Sequence, residues 1–176
     1  TGDYAKLGEY YALSMGTLAS HSGTVTTLPV KDYVAGLAGR FTNVVYVGST
    51  YDEPLPRAFI DDALTGNIPV MWSGFNIWQL AKTDADRAAF TQRYGWDAAT
   101  SYIDSADRVT KISYNGASLK RNELNSGGII APHITREKDV KVLGRAECSK
   151  PDGAATACAS VAQSGTTYFP WAVSSS

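Results

Sequence analysis

Residues Asn43 to Ala81 read NVVYVGSTYDEPLPRAFIDDALTGNIPVMWSGFNIWQLA. Two short apolar runs, Asn43–Val47 and Ile68–Trp72, stop at Gly48-Ser49 and Ser73-Gly74. Between them Leu55, Phe59, Ala63 and Leu64 recur at helical spacing, with Pro56 near the first turn and Gly66 past the last. After the second run Ile77, Leu80 and Ala81 open another helical pattern. Two apolar strands joined by a helix cannot pair as a hairpin, so they are predicted to lie parallel and buried. This βαβ unit predicts an α/β protein with a parallel sheet and a right-handed crossover.

Outward from this segment the chain keeps an α/β texture to about residue 95. Tyr4, Leu7, Tyr11, Met15 and Leu18 form one apolar face of a helix that Asp3 caps and Ser22-Gly23 ends. A chain opening on a helix cap suggests a first strand outside this sequence. Thr24–Val30 reads as a strand, and Tyr33–Phe41, with Gly36 and Gly39, as loop or short helix. Asp84–Tyr94 is predicted to be a helix with Phe90 inward, ended by Gly95. Beyond it the period shortens to two. Tyr102–Ile103, Val109–Tyr114, Ala117–Arg121, Ile129–Ile134, Val140–Glu147, Ala157–Ala162 and Thr166–Val173 are strand candidates, and Asn115-Gly116 is a hairpin turn signal. The reading is a 1–95 α/β sandwich core and a 96–176 β-rich extension packed on the same unit, one compact domain without a Pro/Ser/Gly linker.

The composition excludes several classes. The chain has 176 residues, 44% hydrophobic and 19% charged, and a net charge of −1, which leaves no basic footprint for nucleic acid or an anionic membrane. No apolar run approaches the roughly 20 residues that span a bilayer. The two cysteines, Cys148 and Cys158, flank Pro151-Asp152-Gly153, a turn that brings the arms together. A disulfide there would contribute about 2–3 kcal/mol and place the protein outside the cytosol; free thiols on neighbouring strands are the alternative.

Few residues of the chain are arranged for chemistry. No G-x-S-x-G elbow is present. The turn where a doubly wound fold would place a nucleophile reads Ser73-Gly74-Phe75-Asn76, and the only histidines are His21 and His133. A serine ending a strand is the plainer reading of Ser73, with a small serine hydrolase using Ser73 or Ser49 as an alternative. His21, His133, Cys148 and Cys158 show no metal-ligand spacing; His21 suits a helix C-terminus. Asp61-Asp62 and Asp84/Asp86 read as solvated helix faces. No phosphate-binding glycine motif occurs, so neither a metal nor a cofactor is expected, and no catalytic residue. The suggestive feature is aromatic: Tyr46, Tyr51, Trp72, Phe75 and Trp78 gather at or near two strand ends beside Ser49, Asn76 and Gln79. Ligands of open α/β sheets bind beyond the carboxyl ends of strands, so Ser49, Tyr51, Trp72, Asn76 and Trp78 form a candidate sugar-binding surface. Core packing of Tyr46, Trp72 and Trp78 is the other reading.

The segments KLGEYYALSMGTLASHSGTV, PVKDYVAG, VVYVGSTYDEPLPRAFIDD, PVMWSGFNIWQLA, RYGW and ISYNGASLKR resemble the N-terminal region of secreted proteins in which a polysaccharide-deacetylase-like catalytic domain follows. The likeness runs from about Gly2 to Val173, and YFPWAVSSS resembles the junction before that domain. The region is in turn similar to the class I glutamine amidotransferase-like fold, a flavodoxin-type sandwich. Two departures matter. The amidotransferase cysteine nucleophile is replaced here by Gly74-Phe75, and the Asp and H-x-x-x-H metal set of the deacetylases is missing. The resemblance therefore implies a non-catalytic accessory domain of a secreted, carbohydrate-active protein, with the adjacent catalytic domain as partner and, where the strand-end aromatics contact glycan, polysaccharide as a second. The alternative is a structural or interaction domain that only orients its catalytic neighbour.

Overall fold

The computed structural model describes residues 4–50, 53–66, 69–95, 108–114, 116–120 and 144–149. They fall in two compact units, one up to Arg93 and one from Tyr94. The first unit holds helix α1 (Ala5–Ser20), strand β1 (Val44–Gly48), helix α2 (Arg57–Thr65), strand β2 (Val70–Gly74) and helix α3 (Asp84–Tyr94). The second contains β3 (Arg108–Tyr114), β4 (Ala117–Lys120) and β5 (Gly144–Ser149). Mixed helix and strand with a parallel pair make the first unit α/β in class.

The parallel pairing expected from the β-branched runs is present. β1 and β2 run side by side in register from Val44↔Val70 to Gly48↔Gly74. Backbone bonds extend the ladder at both ends, Val44 N–H donating to the Pro69 carbonyl and Phe75 N–H to that of Gly48. α2 connects them, preceded by Pro56, whose carbonyl accepts from Phe59 and Ile60. Leu55, Phe59, Ala63 and Leu64 are all buried, as helical spacing dictates. Phe59 packs on Tyr46 and Trp72, which face each other across the strands with ring centroids 4.1 Å apart. The start of the second strand differs: β2 begins at Val70, after Pro69, and Ile68 lies outside the described residues. The pattern at Ile77, Leu80 and Ala81 becomes a 3₁₀ turn, Ile77–Ala81.

Three sequence expectations are corrected. Thr24–Val30 is no strand: it pairs with no strand among the described residues, and Val30–Asp32 is a 3₁₀ turn. Pro29 cannot donate to a ladder, and Val25 and Thr27 lie instead beside Gly16 of α1. The α1 N-cap falls on Tyr4 rather than Asp3, with no side-chain bond. Its apolar face is also turned outward, with Tyr4, Leu7, Tyr11 and Leu18 exposed. The glycines explain this. A Cβ on Gly8 would come 2.7 Å from Ser49 Oγ, so α1 approaches β1 through its small side and the bulky side chains project away.

α3 begins at a Thr83 cap, whose Oγ1 accepts the Asp86 N–H at 3.1 Å. Phe90 is 0% exposed, as its inward position predicts. In the second unit β3 is central, antiparallel to β4 and β5. Tyr114 pairs with Ala117, and Gly116 has φ +77°; Asn115 of the expected turn lies outside the described residues. The β5 register shifts between Val109 and Lys111, a β-bulge. The strand candidates at 102–103, 129–134, 157–162 and 166–173 lie outside the described residues.

Candidate functional site

The carboxyl ends of β1 and β2 meet at two glycines. Gly74 has φ +86°, and a Cβ there would strike the Gly48 carbonyl oxygen. A Cβ on Gly48 would lie 2.5 Å from the Phe75 carbonyl oxygen and 2.8 Å from its nitrogen. The chain then enters Asn76 at φ +73°, among the described residues the one non-glycine in the left-handed region. Asparagine tolerates this conformation better than most.

This bend turns its side chains in two directions. Trp72 is 1% exposed, and its indole N–H donates to the Phe75 carbonyl at 2.8 Å. Asn76 is buried, and Nδ2 donates to the Tyr46 hydroxyl and to the Glu53 carbonyl, both at 3.2 Å. Gln79 Nε2 also donates to the Glu53 carbonyl, while its Oε1 accepts the Leu55 N–H at 3.0 Å. The two amides therefore clamp the segment 53–55 ahead of α2. Burial raises the Tyr46 phenol above its usual pKa, the Asn76 bond opposing it. Asn76 Oδ1 and Thr50 Oγ1 are buried with no hydrogen-bond partner among the described residues. Outward, Phe75 is 47% exposed. Trp78 is half-buried, with Lys82 Nζ 5.7 Å from its ring centroid.

Of the residues the sequence singled out, Trp72 and Asn76 thus stand in the core beneath the bend, and Trp78 at its edge. Ser49 is half-buried, against Gly8 of α1. Tyr51 lies outside the described residues. Ser73 is half-buried within β2, opposite Val47. His21 is the exposed C-cap of α1, whereas His133 lies outside the described residues. Cys148 stands in β5 opposite Val109; Cys158, and so any bridge to it, lies outside them. Among the described residues no group of three or more His, Cys, Asp or Glu could hold a metal ion, and no helix is long and apolar enough to cross a membrane.

Two carboxylates were underestimated by the sequence. Asp62 Oδ2 accepts the Tyr33 hydroxyl at 2.6 Å and the Gly36 N–H at 2.7 Å. The Tyr33 oxygen itself accepts the Ala38 N–H at 2.9 Å. Burial, with the Asp62 bond adding, pushes the Tyr33 phenol up to about 12. Asp86 is buried against Arg57. The helical spacing of Asp62 and Asp86 gives no sign of partners some 30 positions away. Comparison with protein-family models, with curated proteins and with solved structures finds no match to this chain.

Proposed function

We propose that this chain is a non-catalytic accessory domain of a secreted carbohydrate-active protein, the parent enzyme being a metal-dependent polysaccharide deacetylase. In this reading the βαβ unit belongs to a three-layer flavodoxin-type sandwich of the class I glutamine amidotransferase kind, and the bend after β2 contacts glycan. The observation that carries it is the exposure of the Phe75 ring, 47% accessible at the strand end, with the half-buried Trp78 indole three residues on. A sugar ring offers an apolar face that an exposed aromatic ring can cover. Trp78, at the same edge, adds a second ring. Affinity electrophoresis in gels of acetylated and deacetylated polysaccharide tests this. Retardation lost in Phe75→Ala and Trp78→Ala supports the reading, and unretarded wild type on every glycan rules out the glycan contact.

A second reading, an interaction domain that orients a catalytic neighbour, draws on α1. Leu7, Tyr10, Tyr11, Leu13 and Leu18 are exposed on that helix, with Tyr4 at its N-cap, more apolar surface than one helix of a soluble domain usually leaves open. Self-association of the isolated chain, relieved by Leu7→Lys with Leu18→Lys, supports it.

A further inference from the structure

A cavity of about 350 Å³ lies at the opposite end of the parallel strands from the glycine bend. It abuts Val44 and Val70, the first residues of β1 and β2, and its walls include Phe41, Phe59 and Ala63. Its volume is in the range of small-molecule sites, and its lining is mostly apolar with few polar groups, as in such sites. Those groups are the Asp62 carboxylate, the Tyr33 phenol and the backbone of Gly36, Ala38 and Gly39.

The polar end has one sign of charge. Asp62 Oδ2 is held by Tyr33 and Gly36, whereas Oδ1 accepts no hydrogen bond from the described residues. Among the described residues no lysine, arginine or histidine lines the cavity. The Tyr33 phenol, its pKa pushed up to about 12, stays neutral at physiological pH and supplies no counter-charge. A carboxylate fixed by two donors, with one oxygen unused, beside aromatic and branched walls is complementary to an ammonium on a short apolar body. An anionic ligand would meet repulsion there, and a neutral one would forgo the charge-assisted bond.

We propose that this cavity binds a small apolar primary amine, its ammonium on Asp62 Oδ1 and its hydrocarbon part between Phe41 and Phe59. The site is separate from the glycan surface proposed above and does not depend on it.

The test is a heteronuclear NMR titration of the full chain with three probes of similar size: 2-phenylethylamine, 2-phenylethanol and phenylacetate. The expected result is saturable shifts at Tyr33, Gly36, Gly39 and Phe41 with the amine, at a Kd of roughly millimolar or below for so small a ligand. Phenylacetate should bind at least about tenfold more weakly, the size of one charge-assisted hydrogen bond. Asp62→Asn should bring amine and alcohol to equal affinity. Because Asp62 also holds the 33–38 loop, Gly39→Leu serves as a second variant. Gly39 lines the cavity and open space surrounds its Cβ position, so a leucine there should block all three probes. Absence of saturable binding in the wild type overturns the proposal. So does equal affinity for amine and phenylacetate, or an amine preference that survives Asp62→Asn.

Discussion

Arg57 and Asp86 meet as one fork on another, Nη1 donating to Oδ2 and Nη2 to Oδ1, each at 2.8 Å. The pair ties the first turn of α2 to the first turn of α3. Arg57 also bonds Asp61 one turn along its own helix, and Thr83 donates to Asp86 Oδ2 at 2.7 Å. Chiefly through Arg57, the Asp86 carboxyl is held below the usual carboxylate range, and the Arg57 guanidinium is raised.

Asp86→Asn should therefore cost about 1–2 kcal/mol at pH 7. The figure is kept low because the Arg57 side chain is 58% exposed and solvent screens it. A carboxylate with a depressed folded pKa contributes fully above its unfolded value of about 4 and loses the contribution as pH falls through the folded value. Urea melts of wild type and Asp86→Asn should converge as pH drops from 5 to below 3; a constant gap across that window contradicts the assignment.

The glycine contact at the strand ends makes a sharper structural prediction. In Gly48→Ala the new methyl meets the Phe75 backbone, which cannot swing aside as a side-chain tip can. The expected destabilisation is about 1–3 kcal/mol, the usual range for overpacking. Gly39→Ala, with open space at its Cβ position, should stay within about 0.5 kcal/mol of wild type. Thermal melts that rank the two the other way would refute the close approach.

Asn76 combines a left-handed backbone with a buried amide, and two substitutions separate these roles. Asn76→Gly keeps the backbone and deletes the bonds to Tyr46 and Glu53, for a cost of about 1–3 kcal/mol. Asn76→Ala deletes the same bonds and adds about 1 kcal/mol of backbone strain. Chemical denaturation should place alanine below glycine, an order opposite to that at an ordinary loop position.

These contacts show what a single sequence makes legible. The βαβ order could be read because β-branched runs, helical spacing and flanking Gly and Pro all act locally. Phe59, Ala63 and Phe90 are inward because their period places them so. Thr24–Val30 has the composition of a strand, but composition does not supply a partner edge, and the segment lies against α1. The outward apolar face of α1 was equally hidden. Spacing marks Tyr4, Leu7, Tyr11 and Leu18 as one stripe, yet Gly8 and Gly16 on another side decide which stripe meets the protein. At the candidate site, Phe75 and Trp78 could be named from position after a strand. The roles of Asn76, Gln79 and Asp62 could not, since each depends on a partner 23 to 30 residues away in sequence.

The Tyr33–Asp62 bond gives the last prediction, at the alkaline end. Tyr33 donates to Asp62 and accepts from Ala38, and its phenol titrates at about 12 instead of the usual 10. A phenol with a raised folded pKa contributes stability that is complete below its unfolded value and fades as pH rises through the folded one. Tyr33→Phe removes the donor and leaves the Ala38 N–H and the Asp62 carboxylate each short of a partner. It should cost about 1–2 kcal/mol at pH 7, and the gap to wild type should narrow between pH 10 and pH 12. Absorbance titration of the phenolates provides the independent check, since one late-titrating tyrosine should vanish in Tyr33→Phe. An unchanged titration curve above pH 11 would leave the bond without its expected consequence and the alkaline argument would fail.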